Sequence, residues 1–410
     1  MANSNEVLID GFSTRAAAWS VVRAGLRPVL FDQCLDLDLP SLALKSEQTT
    51  EFWKKIPRSI PFLPIGGWEN RLEELQQLAD QRPIWGNSAM VMQNIRDPIS
   101  LQQTMKIWQY QSLKVRMSGR PDDVSQLKWI RKSRSATGGY AISLMADTIS
   151  DLEENGYYEQ EYIVGPVYSA QFCSFLNSQP QSTEFLGLTK QQTGCPELPD
   201  FPFAYTGTIG TARNEDLFEL ELSIAKKLVL EIQEIGQRLA QVYDLRGLWG
   251  FDFILKDDRP AVIEVNPRYT AAMEVLELAT GGSFLDLLLA NSSSFMRTNF
   301  KNDSTKPAVI GKAFLFARSE LQLSNNWNWL PIIQELGGIS QNYSAWEIPQ
   351  LSDLPQPGKR FTTGEPICTV WATGKTIRNC EEQLLRRKLL VEDWIMLQTN
   401  GAAYRAADSF

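Results

Sequence analysis

The first thirty residues have the hydrophobic pattern of a strand, a helix and a second strand. Residues 7–9 (Val-Leu-Ile) and 28–31 (Pro-Val-Leu-Phe) are short apolar runs, and residues 16–24 between them read as a helix. Gly25 follows the helical segment, where a glycine commonly ends a helix. Apolar runs of this length predict buried strands, so the chain is expected to open with a βαβ unit.

The turn after the first predicted strand, residues 10–15, does not match the G-x-G-x-x-G pattern of dinucleotide-binding folds. Ser13 and Thr14 lie where a helix N-cap is expected, so we predict a structural connection, with a ligand-contacting loop as the alternative. The βαβ opening is the only feature that would support a nicotinamide-dependent oxidoreductase. Ser13, Thr14, Arg15 and Arg318 are candidates for substrate recognition, and a helix cap or a surface charge is the alternative for each.

Further helical stretches and a glycine turn precede residue 110. Helices are predicted at residues 68–79, near Ser88 and after Asp97-Pro98, and a glycine turn at residues 83–87. We place one domain boundary near residue 110. The Gly281-Gly282 pair and the polar run of residues 291–306 indicate a second boundary.

The strongest chemical signal is an alternation of polar and apolar residues in a predicted β-hairpin. Residues 250–255 and 260–268 form two strands joined by a short polar turn. Asp252 lies between two phenylalanines on the first strand, while Glu264 and Asn266 alternate with apolar residues on the second. Strand geometry then places these oxygen ligands on shared faces. Two carboxylates and an amide suit Mg²⁺, whereas the alternative is the solvent-facing side of an ordinary hairpin.

A lysine followed by small residues is a candidate phosphate site. Residues 127–132 read as a strand that ends at Lys132, and residues 133–139 (Ser-Arg-Ser-Ala-Thr-Gly-Gly) follow it. Small residues let backbone N–H groups approach phosphate oxygens, and a lysine supplies a compact positive charge. The alternative is a basic turn on a solvated face.

A second strand-like segment, residues 158–165, alternates apolar and polar residues and ends at Gly165. Such a hinge can offer backbone N–H and C=O groups to the edge of adenine, with a carboxylate close enough for the ribose. Taken alone, the pattern is more often that of an ordinary strand.

The amino-acid composition excludes several kinds of catalysis. The 410 residues include no histidine, which excludes Ser-His-Asp and Cys-His activation, imidazole acid-base catalysis and His-ligated zinc. Catalysis must use carboxylates, Lys, Arg and backbone donors, and phosphoryl transfer suits that set because it depends on positioning and charge neutralisation. The formal charge of −8 gives no basic field for nucleic acid or an anionic membrane, so neither partner is expected.

The cysteines and the N-terminal residues indicate in which cellular compartment the protein is expected. The five cysteines are scattered and never form a CxxC pair, which argues against a disulfide framework and a zinc site. The first ten residues lack the features of a signal peptide, and no apolar run predicts a membrane span. We expect an unprocessed cytoplasmic protein, and the length and the 43% hydrophobic fraction predict two or three domains.

These features, in this order, resemble the ATP-grasp superfamily, and especially its branch of predicted ATP-dependent carboligases related to biotin carboxylase. The resemblance covers most of the chain, including the turn at residues 85–88 and the weaker matches at residues 311–314 and 355–372. It implies an α/β (α+β) ATP-grasp fold with three parts: an N-terminal βαβ, Rossmann-like pre-ATP-grasp domain (1–110), an ATP-grasp domain (111–300; lid about 111–165, metal-binding part about 166–300) and a small β-rich C-terminal domain (301–410).

The resemblance also implies roles for the residues that match the family's motifs. Lys132 would contact the ATP phosphates, and Arg268 would clamp the γ-phosphate or the developing acyl phosphate. Asp252, Glu264 and Asn266 would bind one or two Mg²⁺ ions, for which Mn²⁺ could substitute. The other implied nucleotide-binding residues belong to the loop at residues 133–139, which has only two glycines and would close over the nucleotide, and to the adenine and ribose hinge: Ser135, Gly138, Gly139, Gln160, Glu161 and Ile163.

The chain departs from biotin carboxylases after the arginine. Those enzymes continue with a Gln-Val-Glu-type run whose glutamate serves bicarbonate chemistry, whereas residues 268–272 read Arg-Tyr-Thr-Ala-Ala. Glu274 could substitute from the next turn, but a helix-surface glutamate is the simpler interpretation. The sequence also has no Ala/Val-Met-Lys-Met biotin attachment site.

The sequence therefore predicts an ADP-forming ligase that activates a carboxylate as an acyl phosphate and transfers it to an amine, or to a similar nucleophile such as a thiol. The expected ligands are ATP, Mg²⁺ and small carboxylate and amine substrates, and a homodimer is compatible with them. The alternatives are a biotin-carboxylase-like carboxylase and a nucleotide-binding scaffold without turnover. The joint presence of Asp252 and Glu264 favours an enzyme, because a scaffold does not need both carboxylates.

Overall fold

The computed structural model describes most of the chain. The described residues are 5–40, 53–117, 127–135, 138–145, 156–176, 182–194, 199–290, 309–340 and 343–407. The polar run at residues 291–306, and with it the predicted second boundary, lies outside the described residues. Within them, no helix is long and apolar enough to cross a membrane.

A parallel sheet opens the structure. Strand β1 (Glu6–Gly11) pairs in parallel with β2 (Arg27–Asp32), and helix α1 (Arg15–Arg23) connects them. Parallel bridges extend this sheet from Leu8 through Phe62 to Ile84. The predicted βαβ opening is confirmed, and the carboxyl ends of its strands, where α/β sheets bind ligands, lie along one edge.

Three helices come next along the chain, the first of them between the bridged residues Phe62 and Ile84, and side-chain caps fix the starts of the other two. The predicted helix at residues 68–79 begins as a 3₁₀ turn and continues as a regular helix after residue 71. Ser88 Oγ accepts the Val91 N–H at 3.3 Å, and Asp97 Oδ1 accepts the Ile99 N–H at 3.1 Å. The helices are α2 (Leu72–Ala79), α3 (Ala89–Ile95) and α4 (Pro98–Ile107).

A small antiparallel sheet carries the lysine strand and the hinge. Its spatial order is β3-β6-β4-β5. Its strands are β3 (Val115–Met117), β4 (Trp129–Ser133), β5 (Ile142–Leu144) and β6 (Tyr157–Glu161). The register places Lys132 opposite Tyr158, so the phosphate candidate and the hinge lie on neighbouring strands.

A second, eight-stranded antiparallel sheet has the order β11-β10-β7-β8-β9-β12-β16-β14. The predicted hairpin forms one edge of this sheet. Strands that precede and strands that follow residue 301, the predicted start of the C-terminal domain, both belong to the sheet. Its strands are β7 (Val167–Ser174), β8 (Thr183–Thr193), β9 (Tyr205–Thr211), β10 (Gly247–Lys256), β11 (Arg259–Asn266), β12 (Val309–Phe316), β14 (Leu351–Ser352) and β16 (Pro366–Gly374). Strands β13 (Leu321–Gln322) and β15 (Arg360–Phe361) pair separately.

One long helix packs on the face of the large sheet that carries Phe251 and Phe253, the residues on either side of Asp252. Phe172 stacks on Trp249 with ring centroids 4.7 Å apart, beneath helix α5 (Leu222–Tyr243). Gly236 permits this contact, because a Cβ there would lie 2.2 Å from the Phe172 ring. The remaining helices are α6 (Ala271–Thr280), α7 (Phe284–Ala290), α8 (Leu330–Glu335) and α9 (Ile377–Ala407). The result is the mixed α/β fold that the sequence predicts.

Candidate active site

The hairpin β10–β11 brings the three predicted cation ligands together. Asp252 lies directly opposite Glu264 in the strand register, and Gly250 lies opposite Asn266. The Asn266 Nδ2 donates to Asp252 Oδ2 at 3.2 Å. The predicted sharing of one face is therefore confirmed, since the side chains alternate along both strands.

Asp252 is nine-tenths buried, and neighbouring strands orient its carboxyl group. Ser169 Oγ donates to Asp252 Oδ1 at 2.5 Å, and Gln191 Nε2 donates to the same oxygen at 2.8 Å. Burial, followed by the nearby Glu264 carboxylate, raises the pKa of Asp252 to about 6. A cation bound between the two carboxylates would oppose both effects, so the donor set fits a hard divalent ion.

Lys132 reaches from the small sheet to the hairpin. Its Nζ lies 3.3 Å from Glu264 Oε2 and 3.5 Å from Gln160 Oε1. Burial raises the pKa of the Glu264 carboxyl, but Lys132, with Arg96 and Arg268, lowers it below its ordinary value. Glu264 is therefore charged at neutral pH, and Lys132 is its counter-ion.

A cleft of about 460 Å³ lies between the two antiparallel sheets. It is large enough for a nucleotide-sized ligand. Ten of the predicted site residues line it: Lys132, Gly138, Gly139, Gln160, Glu161, Ile163, Asp252, Glu264, Asn266 and Arg268. Ser135 does not line it, because the chain turns away after β4 and the Ser135 carbonyl accepts the Asn70 side-chain amide at 2.5 Å.

The hinge offers the cleft an apolar wall, but its carboxylate already has partners. Ile163 packs with Leu113 and Ile254 at the side of the cleft, a surface suited to a planar base. Lys256 Nζ lies 2.8 Å from Glu161 Oε1 and 3.0 Å from Oε2. Glu161 would therefore bind a ribose only by sharing or exchanging this ion pair.

The glycine part of the lid touches the large sheet. The Tyr205 N–H donates to the Gly138 carbonyl at 2.8 Å. Gly139 has a φ of +79°, and a Cβ there would lie 2.0 Å from the Phe203 carbonyl oxygen. A glycine is thus required at this contact, while residues 136–137 of the predicted lid lie outside the described residues.

Arg268 is held by a partner that the sequence did not predict. Its Nε donates to Glu69 Oε1 at 3.0 Å, and its Nη2 donates to Asn266 Oδ1 at 3.3 Å. Burial raises the pKa of Glu69, but Arg268 lowers it below its ordinary value, so the pair is ionic. Glu69 therefore fixes the guanidinium beside the cation ligands.

Glu69 belongs to the 3₁₀ turn that precedes helix α2, and Arg96 ties that turn to the lid. Arg96 Nη1 donates to the Glu69 carbonyl at 2.7 Å and to Asn70 Oδ1 at 2.9 Å. Its Nη2 donates to the Arg134 carbonyl at 3.2 Å. Sequence patterns could have indicated Glu69 only through its two preceding glycines, which mark a turn at a strand end.

The turn after β1 hydrogen-bonds to the end of β2, although Thr14, the N-cap residue of α1, makes no side-chain cap hydrogen bond. The Thr14 N–H and Oγ1 both donate to Asp32 Oδ2, at 2.5 and 2.7 Å. Arg318, another candidate for substrate recognition, is instead exposed and hydrogen-bonds to Glu392 through Nη2 at 2.8 Å. Neither Thr14 nor Arg318 lines the cleft.

Arg15 and Glu274 form a buried ion pair beside the cleft. Arg15 Nη1 and Nη2 donate to the two oxygens of Glu274 at 2.7 and 2.8 Å, and Lys312 Nζ donates to Glu274 Oε2 at 2.7 Å. Arg15 Nε also donates to Asp353 at 2.7 Å, and Ser13 Oγ lies 3.5 Å from the same carboxylate. Glu274 is only 1% exposed, so the prediction of a helix-surface glutamate is wrong.

Residues 105–272 match the family model for an ATP-grasp domain. In sequence, 139 residues are 25% identical to an uncharacterized protein of Methanocaldococcus jannaschii, and the match spans 34% of this chain and 29% of that protein.

Solved structures of low sequence identity share the fold. An L-amino acid ligase from Bacillus licheniformis has a TM-score of 0.65 at 13% identity over 93% of this chain and 96% of its own. A carboxyaminoimidazole ribonucleotide synthase from Aspergillus clavatus, in complex with ATP, has a TM-score of 0.64 at 13% identity over 96% and 100%. A biotin carboxylase from Campylobacter jejuni has a TM-score of 0.63 at 12% sequence identity, over 92% of this chain and 89% of its own.

Replacing Gly139 with alanine should weaken nucleotide binding, because the new Cβ cannot fit against the Phe203 carbonyl while the lid is docked. Gly138→Ala is the matched control: Gly138 has a similar φ of +70° but its Cβ would only make an ordinary contact with Tyr140 at 3.6 Å. We expect the Kd for ADP, measured by calorimetry, to rise about tenfold more in Gly139→Ala than in Gly138→Ala. Equal effects in the two variants would contradict the docked lid.

The raised pKa of Asp252 predicts a pH-dependent cation affinity. Below about pH 6 the Asp252 carboxyl is protonated, and a proton must leave before a cation binds, so affinity should fall as the pH drops through 6. Mn²⁺ binding can be followed by the loss of the free-ion electron paramagnetic resonance signal between pH 5 and about 7.5. Asp252→Asn should bind weakly without this pH dependence. An unchanged pH profile in that variant would show that another group titrates.

Proposed function

The chain contains an ATP-grasp domain and has the ATP-grasp fold, and from that premise we propose that it is an ADP-forming ligase which joins a carboxylate to an amine. One observation carries the proposal: Asp252, Glu264 and Asn266 converge with Lys132 and Arg268 in a single cleft. Two carboxylates for a cation and two fixed positive charges are the elements that phosphoryl transfer to a carboxylate requires.

In the proposed complex, the base lies against the apolar wall at Ile163 and the phosphates extend toward Lys132. Asp252, Glu264 and Asn266 would hold Mg²⁺, which would supply neutralisation of the phosphate charge when bound. Lys132, which is paired with Glu264 in the free protein, would exchange this partner for phosphate oxygens. The exchange keeps the buried ammonium paired before and after nucleotide binding.

The proposed chemistry has two steps. A carboxylate oxygen of the substrate attacks the γ-phosphorus in line, the bond to the bridging oxygen breaks, and ADP leaves. An amine nitrogen then attacks the acyl carbon. The bond from this carbon to the oxygen that bridges it to phosphorus breaks, inorganic phosphate leaves with that oxygen, and the amine releases a proton. Arg268, held in place by Glu69, would stabilise the negative charge on the transferred phosphoryl group and on the tetrahedral intermediate.

The buried state of Glu274 disfavours the carboxylase alternative. Although burial raises the pKa of this carboxyl, Arg15 and Lys312 hold it well below its ordinary value. A group that is already ionised and hydrogen-bonded to two cations is a poor proton acceptor. Glu274 also does not line the cleft, so it cannot supply the bicarbonate base that residues 268–272 lack.

Changing Glu264 to Gln tests the proposal, because the substitution removes a charged ligand and the counter-ion of Lys132 but keeps the side-chain shape. ADP release should first be screened in the wild-type protein against sets of carboxylates and amines. With the substrates found, ADP release by Glu264→Gln should fall about 100-fold or more.

Glu231→Gln is a matched control, since Glu231 pairs with Arg259 on the outer surface and does not line the cleft. Near-normal turnover in Glu264→Gln would refute the assignment of this carboxylate. If the protein binds ADP in a Mg-dependent way but converts no ATP to ADP with any carboxylate and amine pair, the scaffold alternative would be favoured.

A further inference from the structure

Helix α9 has two apolar faces, and the large sheet covers only one of them. The covered face packs against β12 and β16 through Cys380, Leu384, Val391 and Ile395. On the other side, Leu385 is 60% exposed, Leu389 is 48% exposed and Leu397 is 71% exposed. Their spacing of four and eight residues places these leucines along one side of the helix.

The exposed leucines belong to a groove along α9, next to α8. Its volume is about 660 Å³. The residues that line it are Glu335, Glu382, Leu385, Arg386, Leu389, Leu390, Asp393, Trp394 and Leu397. A contiguous apolar surface of this kind, rimmed by charged groups, is typical of a protein interface.

Two opposite charges in the groove lack partners among the residues that the structure describes. Within that part of the chain, neither Arg386 nor Asp393 makes an ion pair or a side-chain hydrogen bond. They are separated by seven residues, about two helical turns, so they project from the same side of α9. Leu389 and Leu390 lie midway between them.

This arrangement is self-complementary. Arg386 comes three residues before Leu389, and Asp393 comes three residues after Leu390. An antiparallel two-fold axis between the two leucines would therefore place Arg386 of each copy beside Asp393 of the other. A residue beside a two-fold axis meets its own copy, so the same axis brings Leu389 of one copy against Leu389 of the other, as an isologous interface requires.

We propose that the chain forms a homodimer in which the α9 grooves of two copies pack antiparallel, with two Arg386–Asp393 ion pairs flanking a leucine centre. The charges fix the register and exclude the parallel arrangement, in which like charges would meet. The interface lies on residues that do not line the cleft, so the proposal is independent of the proposed reaction.

Charge reversal tests the register. Arg386→Asp would put two aspartates at each contact, and Asp393→Arg would put two arginines there. Analytical ultracentrifugation should show a wild-type dimer and, for each variant alone, a dissociation constant raised about 100-fold. A mixture of equal amounts of the two variants should recover the dimer, because the introduced aspartate of one copy then meets the introduced arginine of the other.

Lys375→Asp is the matched control, since it reverses an exposed charge two residues before the same helix, outside the groove, and should leave the dimer intact. Circular dichroism of each variant would verify that α9 remains folded, and the recovery in the mixture excludes simple misfolding. A monomeric wild-type protein would overturn the proposal. So would dimers that persist in either single variant, or a mixture that stays monomeric.

Discussion

The candidate site depends on one costly contact, the direct opposition of two carboxylates on neighbouring strands. Like charges directly across a sheet are destabilising, and Asp252 faces Glu264 in this way. Lys132 offsets the contact from the small sheet, and Arg268 offsets it from the end of β11. Lys132 therefore adds an electrostatic link between the two antiparallel sheets, and a cation with its nucleotide would complete the compensation.

The parallel N-terminal sheet joins this arrangement through buried ion pairs. Glu69 fixes Arg268, while Arg15 on α1 binds Glu274 on α6, which also holds Lys312 of β12. Breaking one partner of such a buried network leaves an uncompensated charge, so the network constrains the relative position of these elements more than it adds stability. It connects the turn that carries Glu69 with the hairpin that carries the cation ligands.

Local patterns predicted the residues whose geometry is set by a single strand or turn. The alternation around Asp252 and Glu264 was sufficient, because side chains two residues apart in a strand share a face. Contacts between residues distant in sequence were not predictable: the Glu69–Arg268 pair spans 199 residues and the Lys256–Glu161 pair spans 95. Glu274 was misjudged for the same reason, since its exposure depends on Arg15, 259 residues away.

The most direct test of the central claim is the thermal stability of the wild-type protein and of Lys132→Ala with Mg-ADP. At about one hundred times its Kd, a ligand specific for the native state adds roughly 2.7 kcal/mol and should raise the Tm by a few degrees. The account predicts a shift that requires Mg²⁺, that persists in Lys190→Ala, whose lysine pairs with Glu381 away from the cleft, and that is lost in Lys132→Ala. No shift in the wild-type protein, or an equal shift in Lys132→Ala, would contradict it.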